Sequence, residues 1–167
     1  IQNKPEFDFN GSATLGIGNF NEVTAEGFIN TPIIENMLAV RLASTVAKRD
    51  GYVESLNPAE EDFNSRDMKA VRLSARLTPT PSLDMNLILN WQEDTPTGTA
   101  FKSGVVPPAA GVSTDAWEPA YLNTFGNFLN GEHLGLDRTV QSATLLTDWD
   151  ISERLSLSSI TGTRHFE

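Results

Sequence analysis

Segments with a period-two alternation of apolar residues are joined along this chain by connections of two very different lengths. Short connections lie at Pro32 to Asn36, Thr80 to Ser82 and Asp150 to Glu153, where Pro, Asn, Asp and Ser supply turn chemistry. Long polar connections lie at 51–66 and 95–137. The alternation of short and long connections predicts an all-β, up-and-down antiparallel meander, with its tight turns at one end and its long loops at the other.

About seven strands are predicted from the alternation. They are Glu6 to Gly18, Glu22 to Thr31, a third from about Met37, Asp67 to Thr78, Leu83 to Glu93, Arg138 to Trp149, and Arg154 to Glu167. In the first strand Phe7 and Phe9 are expected on the apolar face. The fourth and fifth strands alternate without exception, as in the run Val71, Arg72, Leu73. The seventh is rich in Ser and Thr, and its faces are not assigned.

Two architectures fit this pattern when the residues are taken alone. Trp91 and Trp149 fall at strand ends, where an aromatic girdle would lie in a membrane barrel, but Trp also suits the core of a sandwich. An odd number of strands leaves two open edges, so a complete barrel would continue past Glu167. A secreted or surface β-sandwich acting as a binding or adhesion module is at least as compatible with these residues as a partial barrel.

Composition excludes several classes of protein. The net charge of −10 argues against nucleic-acid binding, which needs a basic face. The chain has no cysteine, and therefore no disulfide framework, thiol nucleophile or cysteine-ligated zinc. No apolar run approaches the length of a membrane-spanning helix. Because the chain begins at Ile1, without an initiator Met or a signal peptide, we interpret it as a piece of a longer protein.

Enzyme signatures are not found. His133 and His165 are too few and too far apart to indicate a metal site or a triad, and no nucleophile-elbow, zinc-protease or phosphate-loop motif occurs. No catalytic residue, cofactor or metal site is therefore predicted. The acidic loop 51–66 has the oxygen ligands that calcium prefers but lacks the order of an EF-hand, and a solvated acidic loop is the simpler interpretation.

The loop 95–137 is the best candidate for ligand contact. A segment of this length without regular structure is uncommon in a compact domain unless it binds something. It carries Trp117, Tyr121, Phe125 and His133, and aromatic rings pack well against sugars, catecholates or flat cofactors. A small apolar core or a short helix that holds the loop together explains the same residues equally well.

Three groups of residues occur in an order shared with a known family. They are Gly18-Asn19-Phe20-Asn21 with Gly27, Pro32, Leu38 to Ala43 and Lys48 to Tyr52; Arg72 to Leu77 with Pro79 and Leu83; and Leu155 to Arg164. The first group resembles the first barrel strands of TonB-dependent outer-membrane receptors, the second resembles their fourth and fifth strands, and the third their seventh. The resemblance covers most of the chain and is weakest over 95–137.

This resemblance implies a fold and a function for the parent protein. Residues 1–167 would form roughly the first third of a transmembrane barrel of about 22 strands, in the outer membrane of a Gram-negative bacterium. The parent would be a monomeric receptor that imports a scarce nutrient, by family default a ferric siderophore, with energy from the TonB complex. The family's plug domain and energy-coupling segment have no counterpart in this chain, so the function belongs to the parent.

Arginines on the alternating strands have an assigned direction in that interpretation. An Arg on the lipid face near the bilayer midplane costs about 2 to 4 kcal/mol. Arg41, Arg72 and Arg76 are therefore predicted to face the lumen, where they would meet acidic groups of a plug. As residues of a sandwich they would be ordinary solvent-facing arginines.

Overall fold

The chain forms one seven-stranded antiparallel sheet. The structure is a computed structural model, and it describes residues 3–55, 61–99 and 135–167. The strands are β1 Asn10–Gly18, β2 Glu22–Ile34, β3 Leu38–Arg49, β4 Arg66–Thr80, β5 Leu83–Asp94, β6 Arg138–Ser152 and β7 Leu155–Phe166. Each pairs with the next in chain order, so the sheet is a meander. The all-β meander is confirmed, and the seven strands do not divide into the two sheets of a sandwich.

The short connections do not all lie at one end, which corrects the prediction. Three of them join β2 to β3, β4 to β5 and β6 to β7 at the end called here the turn end. The fourth, between β1 and β2, lies at the opposite loop end, where the amide of Asp50 donates to the carbonyl of Phe20 at 2.9 Å. Phe20 and Asn21 both have positive φ, the backbone of a type I′ hairpin turn.

The first strand begins four residues later than predicted. Residues 3–9, called here the strap, leave the sheet edge and cross one face of the sheet. The ring of Phe7 lies 5.2 Å from the guanidinium carbon of Arg76, on the polar side, and not on the apolar face as predicted. Phe9 lies outside β1 and is exposed. The cause is Asn30, whose side chain hydrogen-bonds the strap backbone and draws it away from the edge.

One face of the sheet is apolar and exposed. The register sets Leu42, Leu73 and Leu89 side by side on β3, β4 and β5, and they are 45%, 40% and 39% exposed. Other large apolar residues of this face are exposed as well: Leu15, Ile17, Val23, Ile29, Val46, Val71, Leu87, Trp149 and Leu157. We call this the apolar face and the opposite one the polar face.

The buried residues of the strands lie on the polar face. Those of the described strands are Asn30, Ala39, Ala47, Ser74, Asn86, Ile88 and Asp94. The pairing register assigns all of them to that side of the sheet. The sheet is thus inside out by the standard of a soluble domain, because its apolar face is exposed and its polar face is the more buried. Among the residues that the structure describes, no helix is long and apolar enough to cross a membrane.

Candidate functional site

The middle of the polar face forms a groove of about 610 Å³. Antiparallel pairing aligns one residue from each strand in a row across it: Ser12, Phe28, Ala43, Arg72, Asn90, Ser142 and Arg164. The row exists because each strand presents alternate residues to this side and the register keeps them level. Ser, Asn and Arg side chains therefore meet at mid-height of the sheet.

A chain of hydrogen bonds follows this row. The Nε of Arg72 donates to Oδ1 of Asn90 at 2.6 Å, and Nδ2 of Asn90 donates to Oγ of Ser142 at 3.0 Å. The partner of Arg72 is thus a neutral amide and not a carboxylate. Its positive charge stays uncompensated by the other described residues, while its direction is fixed.

Arg41 is held in the same groove by an aromatic ring. Its guanidinium carbon lies 3.5 Å from the centroid of the Phe28 ring, close enough for a cation–π contact. The contact restrains the position of the guanidinium and uses none of its N–H groups as conventional hydrogen-bond donors. Arg164, on β7, lines the groove from the opposite side and is exposed.

At the turn end of the polar face the arginine is paired. Arg76 donates from Nε and Nη2 to the two carboxylate oxygens of Asp84, at 3.1 and 3.0 Å. Lys4 of the strap adds a bond of 3.3 Å to Asp84 and lies 3.9 Å from Asp148. Partial burial raises the pKa of Asp84, but hydrogen bonds and positive charge from Arg76 and Lys4 outweigh burial and hold that pKa below its ordinary value.

The strap is fixed above this cluster by Asn30. Oδ1 of Asn30 accepts from the amide of Glu6 at 3.0 Å, and Nδ2 donates to the carbonyls of Glu6 and Asp8 at 2.8 and 2.7 Å. Asn30 is fully buried, as is Pro5. One side chain thus satisfies three backbone groups of a segment that has no sheet partner.

At the loop end the charges are again paired. Arg138 donates to Oδ2 of Asp94 from Nη2 at 2.7 Å and from Nε at 3.2 Å, and Nε2 of Gln92 donates to both oxygens of the same carboxylate. Asp94 is 8% exposed. Arg66 lies 3.9 Å from Glu22. Arg66, Arg76 and Arg138 thus have carboxylate partners at the two ends of the polar face, and Arg49 at the loop end donates to the carbonyl of Asn64 at 2.8 Å.

The two long connections are joined at their bases. Ser65 and Thr97 exchange amide-to-hydroxyl hydrogen bonds of 3.0 and 2.8 Å, and Val53 pairs with Phe63 in a buried bridge. A Cβ on Gly51 would collide with the backbone of Asp62, so only glycine fits there. Within the ranges that the structure describes, no three acidic or histidine side chains are arranged to hold a metal ion.

The residues singled out in the sequence fall into two groups. Arg41, Arg72 and Arg76 share the polar face, with Arg41 and Arg72 in the groove and Arg76 below the strap. The loop candidates lie outside the described residues: Trp117, Tyr121, Phe125 and His133.

Sequence reasoning missed two groups of residues at this site. One is Arg164, which joins the groove because Ser142 pairs with it across β6 and β7. The other is the set formed by Asn90, Asn30 and Lys4. The polar positions of β2 and β5 were visible in the alternation, but their partners were not.

The described residues give the groove directed positive charge and neutral hydrogen-bond donors. In comparisons with protein-family models, with curated proteins and with solved structures, nothing matches this chain.

Proposed function

We propose that this chain forms part of the wall of a transmembrane β-barrel, in a receptor of the TonB-dependent kind that resides in the outer membrane of a Gram-negative bacterium. The parent protein imports a scarce nutrient, with a ferric siderophore as the default ligand. The observation that carries the proposal is the inside-out sheet, whose apolar face is exposed across its strands while its buried strand residues lie on the polar face. A lipid-facing wall requires that arrangement, and water penalises it.

The placement of charge supports the same proposal. The arginines at mid-height, Arg41, Arg72 and Arg164, belong to the polar face. The neighbouring positions on the apolar face are Leu42, Leu73 and Thr163. Since a lipid-facing Arg at the midplane costs about 2 to 4 kcal/mol, a barrel wall needs this separation of arginine from leucine.

The apolar face between its two tryptophans covers most of the height of the apolar band of an outer-membrane barrel, which is about 25 Å. Trp149 is level with Leu83 at the turn end, and Trp91 follows Leu83 by eight residues on β5, near the loop end. Eight residues span roughly 26 Å along a strand, or about 20 Å along the membrane normal at a tilt near 40°. Beyond Trp91, Lys69 pairs with Glu93 at 2.9 Å, where an apolar band would give way to headgroups.

The open edges support a larger barrel. In a meander of seven strands β1 and β7 run in the same direction, so they cannot close the sheet with an antiparallel pair. Closure with alternating directions needs an odd number of further strands, such as the roughly fifteen that a barrel of about 22 would supply. In this proposal the parent transports its ligand without covalent chemistry, and 95–137 contributes to ligand contact.

The test uses two adjacent residues in the middle of β6. Leu145 lies on the apolar face, where it pairs with Leu87 midway between Leu83 and Trp91, and Thr144 lies on the polar face; both are half-buried. The 167-residue chain and the variants Leu145→Arg and Thr144→Arg are mixed with phosphatidylcholine vesicles, and inserted β-structure is measured by polarised infrared spectroscopy and flotation. Leu145→Arg is expected to lower insertion by about 2 to 4 kcal/mol, and Thr144→Arg by much less.

Two results would contradict the proposal. One is a chain that folds in buffer without detergent and does not enter vesicles, which would favour the alternative of a surface β-sheet binding module. The other is an equal loss of insertion in both variants, because the two faces would then not differ in their contact with lipid.

A further inference from the structure

We propose that the groove at the middle of the polar face binds a small ligand that carries two or more oxyanion groups, with Arg41, Arg72 and Arg164 as its contacts. This inference deepens the proposed function. The statement that the ligand is the transported cargo rests on that proposed function. Anion binding by the groove is itself a property of this chain, and it can be measured directly.

The distribution of charge points to an anion. The chain carries a net charge of −10, yet within the described ranges these three arginines have no carboxylate within 4 Å. Arg66, Arg76 and Arg138 each have one. An acidic protein that leaves three arginines of one groove without a carboxylate, while it pairs Arg76 at the turn end and Arg66 and Arg138 at the loop end, concentrates positive potential at that groove.

The arginines are oriented and keep donors to spare. A guanidinium has five N–H groups, and the described residues accept only the Nε–H of Arg72. The position of the Arg41 guanidinium is restrained by its contact with Phe28 at 3.5 Å. Because the direction of both groups is set before a ligand arrives, less side-chain freedom is lost on binding.

The rest of the groove suits an oxyanion. Its neutral polar lining comprises Asn3, Ser12, Thr14, Ser44, Thr45, Asn90, Gln92 and Ser142. Hydroxyl and amide groups can donate to ligand oxygens that the arginines do not reach. Glu26 is the one carboxylate among the described lining residues, against three arginines. The groove therefore has an excess of positive charge to be neutralised.

The spacing of the arginines selects a ligand with more than one charge. Arg41 and Arg72 lie on neighbouring strands, whereas Arg164 is three strands from Arg72. Three strand spacings are roughly 14 Å between backbones on a flat sheet, and curvature brings the side chains closer across the groove. One carboxylate offers about four acceptor sites, fewer than the N–H donors of three arginines, whereas a tricarboxylate or an oligophosphate offers enough to engage all three.

The test is titration calorimetry of the 167-residue chain in neutral detergent at low salt. Citrate and pyrophosphate are the two probes, since they separate carboxylate from phosphate as the source of the oxyanion, and triethyl citrate is the uncharged control. At least one of the two anions is expected to bind, with an affinity at least tenfold higher than that of triethyl citrate. This affinity should fall as the salt concentration is raised.

Two variants tie binding to the groove. Asn90→Asp preserves the shape of the side chain and the acceptor for Arg72, but it supplies an internal carboxylate, so the affinity for the anion should fall at least tenfold. Arg164→Gln alters an exposed side chain on the edge strand and should lower affinity by several-fold without affecting the fold. Arg154→Gln, at the turn between β6 and β7, removes the same charge far from the groove and should leave affinity unchanged.

Three results would overturn the proposal: neither anion binds, Asn90→Asp and Arg164→Gln bind like the unmodified chain, or Arg154→Gln weakens binding as much as Arg164→Gln. Infrared spectra of each variant verify that the sheet is retained. The outcome is separable from the proposed function. A chain that enters vesicles but binds no anion contradicts only this inference, and one that binds citrate but never enters vesicles contradicts only the barrel.

Discussion

The polar face has the same residue type in two different situations at two heights. At the turn end Arg76 makes two bonds to Asp84 and lies against Phe7 of the strap. At mid-height Arg72 faces a neutral amide across an open groove. The difference teaches that an arginine on this face is structural where the chain supplies the carboxylate and is available for binding where the chain supplies only Asn and Ser.

The strap covers the turn end, where Arg76 is paired with a carboxylate, and leaves the groove around Arg72 uncovered. The strap crosses the polar face at the turn end and buries Pro5 and Asn30, whereas the groove above it remains open. Removing the strap's attachments would make the turn end resemble the middle. The expected effects decrease from Asn30, through Asp84, to an ion pair on the opposite face.

The largest effect is expected for Asn30→Ala. The substitution removes three hydrogen bonds and leaves the amide and carbonyl of Glu6 and the carbonyl of Asp8 without their partner. Leaving buried backbone groups unsatisfied costs about 3 kcal/mol in total. We expect the strap to detach, which would be measured as lost hydrogen-exchange protection of the Glu6 amide and as a lower free energy of unfolding in detergent.

Asn10→Ala is the matched control for that experiment. Asn10 also touches the strap, but through one exposed hydrogen bond of 2.9 Å between its side chain and that of Glu6. Its removal should cost about 0.5 kcal/mol or less. If the two variants lose equal stability, burial of the strap's backbone is not what separates the turn end from the middle.

A smaller effect is expected for Asp84→Asn. The amide keeps the size of the side chain but cannot pair with Arg76 and Lys4, at a cost of about 1 kcal/mol because the cluster is partly exposed. Loss of the carboxylate also frees Arg76, so the turn end becomes like the groove. Denaturant unfolding measures the cost, and an unchanged midpoint would mean that the pair only fills space.

The same residue gives the stability a pH dependence. Since the pKa of Asp84 in the folded chain lies below its ordinary value of 3.8, folding favours the ionised form. The contribution of Asp84 to the free energy of unfolding is fully present above its ordinary pKa. That contribution is lost as the pH falls through the lower pKa of the folded chain. Asp84→Asn should lack this part of the acid-induced loss. Identical slopes for the two proteins below pH 4 would contradict the assignment.

Most strands could be predicted because apolar residues recur at every second position, although Ile88 adds an apolar residue to the polar side of β5. In β4 and β5 every second residue is apolar from Val71 to Leu77 and from Leu83 to Trp91, so the faces followed from the sequence alone. That parity also assigned Arg41, Arg72 and Arg76 to one side. The expectation that all short connections share one end was wrong for a geometric reason: in a meander the first, third and fifth connections lie at the same end, whatever their lengths.

The strap and the full groove could not be predicted. Phe7 and Phe9 continue the period-two pattern of β1, and the contact that overrides it comes from Asn30, more than twenty residues away. Arg164 enters the groove only through the register of β6 and β7, since the Ser and Thr of β7 carry no facial signal. Local pattern fixes which way a side chain points, whereas its partners depend on the alignment of neighbouring strands.

The smallest effect is expected for Glu93→Gln, on the apolar face at the loop end. Glu93 accepts a hydrogen bond from Lys69 at 2.9 Å; that bond first, and then the charges of Glu93 and Asp67, raise the pKa of Lys69 above 10.5. The stabilisation is present below the ordinary pKa of Lys69 and is lost as the pH rises through its higher pKa in the folded chain.

Glu93→Gln should lower the pKa of Lys69, which ¹³Cε NMR can follow. The free energy of unfolding at pH 7 should scarcely change, because the pair is exposed. Asp67→Asn, which removes the weaker influence, should lower it less. A loss of stability for Glu93→Gln as large as that for Asp84→Asn would show that pairing alone stabilises this sheet, and that the strap's cover over the turn end adds nothing.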